Sequence, residues 1–344
     1  PVPSTRERLL HLAWTRALPS LVWTPETPEM VPPWEVPFLL DVMRQDAAAG
    51  ARRERRRVIA GFAVLALVVA VLMPPLMALL LMIFIAPLGG VLIGSISRRI
   101  RQADQTTPEQ FRRSLDAYVE QRVEEAQPIP ATRAVSLAIV AVGITQLLLK
   151  DTSIQAGAVS REAVAAGEWW RLFTAPMLHG GVLHFWMNYG ALEGLGRTME
   201  TRGPRRYVPL VFLAAALAGG VFSILLPPES QSVGASGGLM GMFGFLAVMA
   251  WRRKKHMPDG FLRGLLINVA LIGLVGAIAY RFIDNAAHAG GLIAGLLIGM
   301  ISVPREDAEW VEAPGLRRAA WLAQGAIYVS AALTITLTLL AALG

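Results

Sequence analysis

Apolar residues along this chain fall into long blocks separated by short polar connections rich in arginine. Beyond residue 133 the blocks lie at about 134–150, 177–196, 207–226, 236–251, 263–280, 286–303 and 319–343. Runs close to or above the ~18 apolar residues of a bilayer crossing predict membrane-spanning helices, with the apolar surface facing lipid instead of one large soluble core. Two earlier runs, 58–73 and 76–97, flank Pro74-Pro75 and predict an N-terminal hydrophobic hairpin. Its first arm is short enough to be a tilted or re-entrant helix. Residues 1–57 read as a polar cytoplasmic extension: residues 6–18 could form a short amphipathic helix, residues 25–37 are a proline-rich breaker, and residues 52–57 are basic. That extension is either a segment binding a surface or partner, or a solvated tether. Residues 100–132 read as a cytoplasmic linker helix. There Thr107, Pro108 and Gln110 stand as the N-cap, first-position proline and third-position partner of a capping box, with Phe111, Leu115 and Tyr118 on one face.

Composition agrees with the pattern. Hydrophobic residues make up 54% and charged residues 17%, and the mean hydropathy is +0.49, a balance foreign to soluble domains. The net charge of +7 comes from arginines at block ends, Lys150, Lys254 and Lys255 being the only lysines. The charge therefore reports membrane orientation, and no nucleic-acid partner is expected. Arg133, the group Arg197, Arg202, Arg205 and Arg206, the run 252–255, and the group Arg305, Arg317 and Arg318 mark cytoplasmic connections. Connections 151–176, 227–235 and 281–285 are then external. Cysteine is absent, which excludes a disulfide framework, a thiolate nucleophile and a cysteine metal site. The opening Pro1-Val2-Pro3-Ser4 shows no cleavable signal peptide. The preference for arginine and alanine suggests a bacterial inner membrane.

Candidate chemistry gathers at one membrane face. Ser236, in Gly234-Ala235-Ser236-Gly237, and His288, in Ala287-His288-Ala289-Gly290-Gly291, stand at the outer ends of two blocks that both run inward. A serine hydroxyl needs a base within reach, and the oxyanion it creates needs preorganised donors. At a helix start, the unpaired N–H groups and the positive end of the helix dipole supply part of that, and glycines 234 and 237 allow close approach. No carboxylate except Asp284 lies nearby, so a Ser-His dyad is expected. Taken alone the serine could be a helix cap and the histidine a structural hydrogen-bonder. Packing argues otherwise: Gly237, Gly241 and Gly244 share a face, as do His288, Gly291, Gly295 and Gly299, so two helices can pack backbone to backbone and bring the pair together. An ionisable residue within a span also points to function. The second block adds His179, His184 and Asn188; the last two are four apart and share a face, suited to two donors converging on an oxyanion. Zinc, the rival reading, would need a third convergent ligand and a motif such as H-E-x-x-H that the chain lacks.

These motifs together resemble the rhomboid family of intramembrane serine proteases over residues 133–303. The likeness rests on Trp170-Arg171, His179-x5-His184-x3-Asn188, Gly196-x3-Glu200, Gly234-x-Ser236-Gly237 and Ala287-His288-x2-Gly291-x3-Gly295. It implies an all-α polytopic membrane protein with a six-helix core, the N-terminal hairpin lying outside that core, and residues 304–344 forming a linker and seventh helix. It implies Ser236 as nucleophile and His288 as base. His184, Asn188 and the Ser236 N–H would form the oxyanion hole. His179 would support nearby water or loop structure, with Arg171 and Glu200 in structural roles. Residues 151–176 would be a membrane-dipping loop and 263–280 a lateral gate. Met240 stands where many members carry an aromatic ring against the catalytic histidine. The partners implied are transmembrane protein substrates and the lipid bilayer, with no cofactor. A catalytically silent scaffold for client helices is the alternative; a transporter is disfavoured because the polar residues gather at one face instead of along a path.

Overall fold

The computed structural model describes residues 22, 29, 31–72, 89–90, 93–110, 112–113, 126–226, 231–258, 260–306, 308–310 and 314–343. Two compact units divide the chain, residues 1–126 and residues 127–344.

In the first unit helix α1, Pro37–Leu72, runs unbroken through the basic stretch expected to be part of a tether. The physical reason is propensity: Ala47, Ala48, Ala49 and the Arg/Glu-rich run after Ala51 are good helix formers, and their charge did not require an irregular chain. Pro37 supplies a first-turn φ, and the helix is described up to two residues before Pro74. A small cluster of Val22, Val36, Leu39 and Val42 anchors its start. Arg44 donates through Nε and Nη2 to the Thr106 carbonyl at 2.9 and 2.7 Å. The capping box forms as expected, with the Thr107 N–H on Gln110 Oε1 at 3.0 Å and the Gln110 N–H on Thr107 Oγ1 at 3.2 Å. The expected helix at 6–18, the prolines at 74–75 and the Phe111-Leu115-Tyr118 face lie outside the described residues.

The second unit is a helical bundle. In chain order come α2 (Pro130–Leu148), α3 (Lys150–Gly157), α4 (Arg161–Ala165), α5 (Arg171–Thr174), α6 (Val182–Arg202), α7 (Tyr207–Leu225), α8 (Ser236–Arg252), α9 (Phe261–Ile278), α10 (Asn285–Ser302) and α11 (Pro314–Leu343). Helices α7, α8 and α10 form the central trio, α6 packs between α2 and α8, and α11 lies along α2, α3 and α7. Val208, Val211, Phe212, Met242, Phe245 and Leu246 are fully buried where α7 and α8 meet. Large apolar side chains also cover the outside: Leu137, Leu147, Leu266, Leu297, Ile301, Leu322 and Val329 are all exposed. A soluble protein does not present such a surface, whereas a bilayer requires it. Helices α2, α7, α9, α10 and Gly315–Leu343 of α11 are long and apolar enough to cross a membrane. The chain is an all-α integral membrane protein.

Helix α9 is the loosest member, with Leu265 and Gly276 its buried residues among 18. The start of α2 is fixed from α6. Glu200 accepts from the Thr132 N–H and Thr132 Oγ1, both at 2.6 Å, and from the Ala131 N–H at 3.2 Å, satisfying first-turn donors that the helix itself cannot. One turn earlier, a Cβ on Gly196 would stand 2.6 Å from Thr132 Cγ2, so only glycine lets the two helices approach there. The Gly196-x3-Glu200 pair is therefore one helix-docking device.

Candidate active site

Helices α8 and α10 run parallel, in contact at the backbone. A Cβ on Gly291 would collide with the Gly237 carbonyl and one on Gly295 with the Gly241 carbonyl, while a Cβ on Gly244 would stand 2.6 Å from the Leu292 carbonyl oxygen. The small-residue faces expected from sequence thus interlock, and the seam sets both helix starts at one level. There His288 Nε2 lies 2.9 Å from Ser236 Oγ. Asp284 caps α10, Oδ1 accepting the Ala287 N–H at 2.8 Å, which fixes the turn that presents His288. His288 Nδ1 is buried with no hydrogen-bond partner among the described residues.

The loop ahead of Ser236 is held by three backbone hydrogen bonds. Val159 and Ser232 exchange N–H···O bonds at 3.0 Å, and the Gly234 N–H donates to the Ala175 carbonyl at 3.0 Å. Gly234 has φ of +133°, a backbone conformation that a side chain would strain. It also faces the other polar pair: a Cβ there would lie 2.8 Å from His184 Cε1 and 3.6 Å from Asn188 Nδ2. The two side chains expected to share a helix face therefore converge two residues before the serine. His184 Nδ1 accepts the Gly180 N–H at 3.3 Å; in the neutral ring this assigns the proton to Nε2, on the Gly234 side. Asn188 is buried, and its Nδ2 has no protein partner among the described residues.

His179 stands in the loop before α6, which begins at Val182, and not on the helix as its place in an apolar block suggested. The cause is Gly180-Gly181 directly after it. Its ring meets His184 and Phe185 edge-on, with centroids 5.3 Å apart in each case. Its backbone is clasped by Gln146, whose Oε1 accepts the His179 N–H at 2.9 Å and whose Nε2 donates to the His179 carbonyl at 3.2 Å. Sequence reasoning passed over Gln146, although a buried amide in the apolar run of α2 was a visible signal. Arg171 pins the connection from α3, donating through Nη1 to the Gln155 and Ala158 carbonyls at 2.9 and 2.8 Å and pairing through Nε with Glu168. Asn285 was also missed: its Nδ2 donates to the Gly276 carbonyl at 2.9 Å and ties α9 to the start of α10. Met240 is buried on α8.

Such an arrangement can perform acyl transfer: a hydroxyl with a base in contact, and two side-chain N–H donors beside it. Residues 166–305, which include both members of the pair together with His179, His184 and Asn188, match the rhomboid domain family. Over 163 residues, 46% of this chain and 31% of the relative, the sequence is 36% identical to the rhomboid protease GluP of Bacillus subtilis. It is 32% identical over 155 residues to the mitochondrial RHOMBOID-like protein 6 of Arabidopsis thaliana, covering 44% of this chain and 50% of that one. It is 31% identical over 160 residues to RHOMBOID-like protein 5 of the same plant, covering 45% and 51%. The chain thus spans about a third to a half of the length of these relatives. Residues 166–305, which carry the serine and histidine helices, thus match a rhomboid domain, with similarity reaching bacterial and plant rhomboid proteins alike.

Proposed function

We propose that the protein is an intramembrane serine endopeptidase that cleaves transmembrane segments of other membrane proteins near the outer face of a bacterial inner membrane. The observation that carries this is the 2.9 Å contact between His288 Nε2 and Ser236 Oγ within the rhomboid domain. Ser236 Oγ attacks the scissile carbonyl carbon as its proton passes to His288 Nε2, and the carbonyl electron pair moves onto oxygen. That oxyanion is met by the His184 Nε2–H, the Asn188 amide and the Ser236 N–H, all beside Gly234. Collapse breaks the C–N bond, His288 returning the proton to the leaving nitrogen. Water then attacks the acyl-serine, gives its proton to Nε2, and a second collapse frees the carboxylic acid and restores the hydroxyl. No cofactor enters any step. His179, Arg171 and Gln146 hold the surrounding loops. Sparsely packed α9 is the lateral route for substrate, and the arginine-rich connections set the site toward the outside.

The test is covalent labelling of the detergent-purified protein with a fluorophosphonate, whose phosphorus is attacked by the same activated hydroxyl. Wild type should label, Ser236→Ala should not label at all, and folded His288→Ala should label at most weakly. A folded wild type that neither labels nor cleaves a transmembrane substrate would instead establish a silent scaffold.

A further inference from the structure

At the bundle end opposite the dyad, a cavity of about 650 Å³ opens between α2, α7 and α11. Its mouth carries Arg205, Arg206 and Arg317, and its depth is walled by Ala134, Pro209 and Ala320. Along α11 the lining residues Arg317, Trp321, Gln324 and Tyr328 fall at helical spacing on one face. From Arg317 to Tyr328 the rise is about 16 Å, close to half of a ~30 Å hydrocarbon core. The groove is therefore charged at one end, lined by Ala134, Pro209 and Ala320 about one helical turn deeper, and continued along α11 past Gln324 to Tyr328. Gln324 adds a polar contact within it: its Nε2 is buried with no hydrogen-bond partner among the described residues. Trp321 and Tyr328 are exposed toward lipid at 73% and 47%, so the groove is open sideways to the bilayer.

We propose that this groove is a binding site for one anionic phospholipid, independent of the catalytic reading. The phosphate sits among the three arginines, the ester region passes Ala134, Pro209 and Ala320 within reach of the Gln324 amide, and one acyl chain continues along α11 toward Tyr328. Three features select this occupant. Clustered guanidinium groups recognise phosphate oxygens. Apolar lining below the arginines, continued along α11 to Tyr328 and open to lipid, matches an acyl chain but offers nothing to a free ion. Finally, under the topology proposed above the arginines lie at the cytoplasmic surface, where anionic headgroups are recognised by basic pockets between helices. The lipid would wedge α11 against α2 and α7, joining the C-terminal helix to the core.

The experiment is native mass spectrometry of the full chain released from nonionic detergent and titrated with phosphatidylglycerol, phosphatidylcholine or inorganic phosphate. One phosphatidylglycerol should be retained, phosphatidylcholine should bind far more weakly, and inorganic phosphate should not displace the lipid. Neutralising Arg205, Arg206 and Arg317 together to Gln should weaken phosphatidylglycerol about 100-fold, at roughly fivefold for each arginine. Ala134→Phe, which keeps every charge and fills the apolar wall, should also lose the lipid; it decides the matter if the triple variant does not fold. Equal retention of both lipids by wild type would mean non-selective annular contact, and displacement by inorganic phosphate would mean a simple anion site. Either result overturns the proposal, as does unchanged phosphatidylglycerol binding in Ala134→Phe.

Discussion

Replacing Gly291 by alanine tests how the dyad is held together. The new Cβ would stand 2.8 Å from the Gly237 carbonyl carbon and 3.1 Å from its Cα, with the carbonyl oxygen nearer still, whereas ordinary contact begins at 3.4 Å. Neither partner is a side chain that can swing aside. With the carbonyl oxygen setting the distance, helices α8 and α10 must therefore part by about 1 Å, one residue from Ser236 and three from His288, which carries the 2.9 Å dyad contact beyond the roughly 3.5 Å limit of a hydrogen bond. Overpacking of this kind destabilises by about 1–3 kcal/mol, within what a bundle of this size can survive. Displacement of reacting groups approaching 1 Å lowers turnover by about 100-fold. The assay is steady-state cleavage of a fluorogenic transmembrane substrate in liposomes, with thermal unfolding run in parallel. Gly273→Ala on α9, where an added Cβ meets nothing within 4 Å, is the control and should behave as wild type. Gly291→Ala with wild-type kcat would refute the claim that backbone contact sets the dyad, and a change confined to KM would move the effect to substrate entry.

Other consequences can be checked alongside. His184→Ala and Asn188→Ala should each lower kcat by about 100-fold to 1,000-fold with KM little changed; wild-type kcat in both would remove them from the oxyanion hole. Glu200→Ala leaves the first-turn donors of α2 without their acceptor and should destabilise the fold by about 2–3 kcal/mol in a detergent unfolding titration, and an unchanged midpoint would show the cap to be redundant. In this cysteine-free chain, a cysteine replacing Ile283 should react with an impermeant thiol reagent in intact cells and one replacing Lys254 should not; the reverse pattern would invert the proposed orientation.

Much of the bundle was legible because apolar blocks and helix boundaries share a physical cause. Helices α7, α8 and α10 begin within a residue of the expected positions, since the arginine, glycine and serine punctuation that ends an apolar run also ends a helix. The continuity of α1 through residues 52–57 was not read from sequence, although arginine and glutamate favour the helix as well as water. The contact between Ser236 and His288 was anticipated from motif and depth together, neither sufficient alone. What stayed hidden depends on contacts distant in sequence. The Gln146 clasp on His179 joins residues 33 apart, the Glu200 cap reaches back 68 to Thr132, and the Val159–Ser232 bridge links two loops whose pairing no local periodicity encodes.

Helix α9 differs from the trio beside it in what governs its attitude. The trio is locked by buried side chains and glycine contacts, so its geometry belongs to the protein; α9 is held chiefly through Leu265, Gly276, the Asn285 amide and the partly packed Phe261 and Leu262, and leaves much of its remaining surface to lipid. Its 18 residues span about 27 Å against a ~30 Å hydrocarbon core. Mismatch of that order is relieved by tilt and local thinning, and the least-fastened helix yields first. If α9 is the lateral route proposed above, acyl-chain length in the host membrane becomes a variable acting on how far α9 stands from its neighbours while the Ser236–His288 distance stays constant, so that the bilayer would tune access without touching the proposed chemistry.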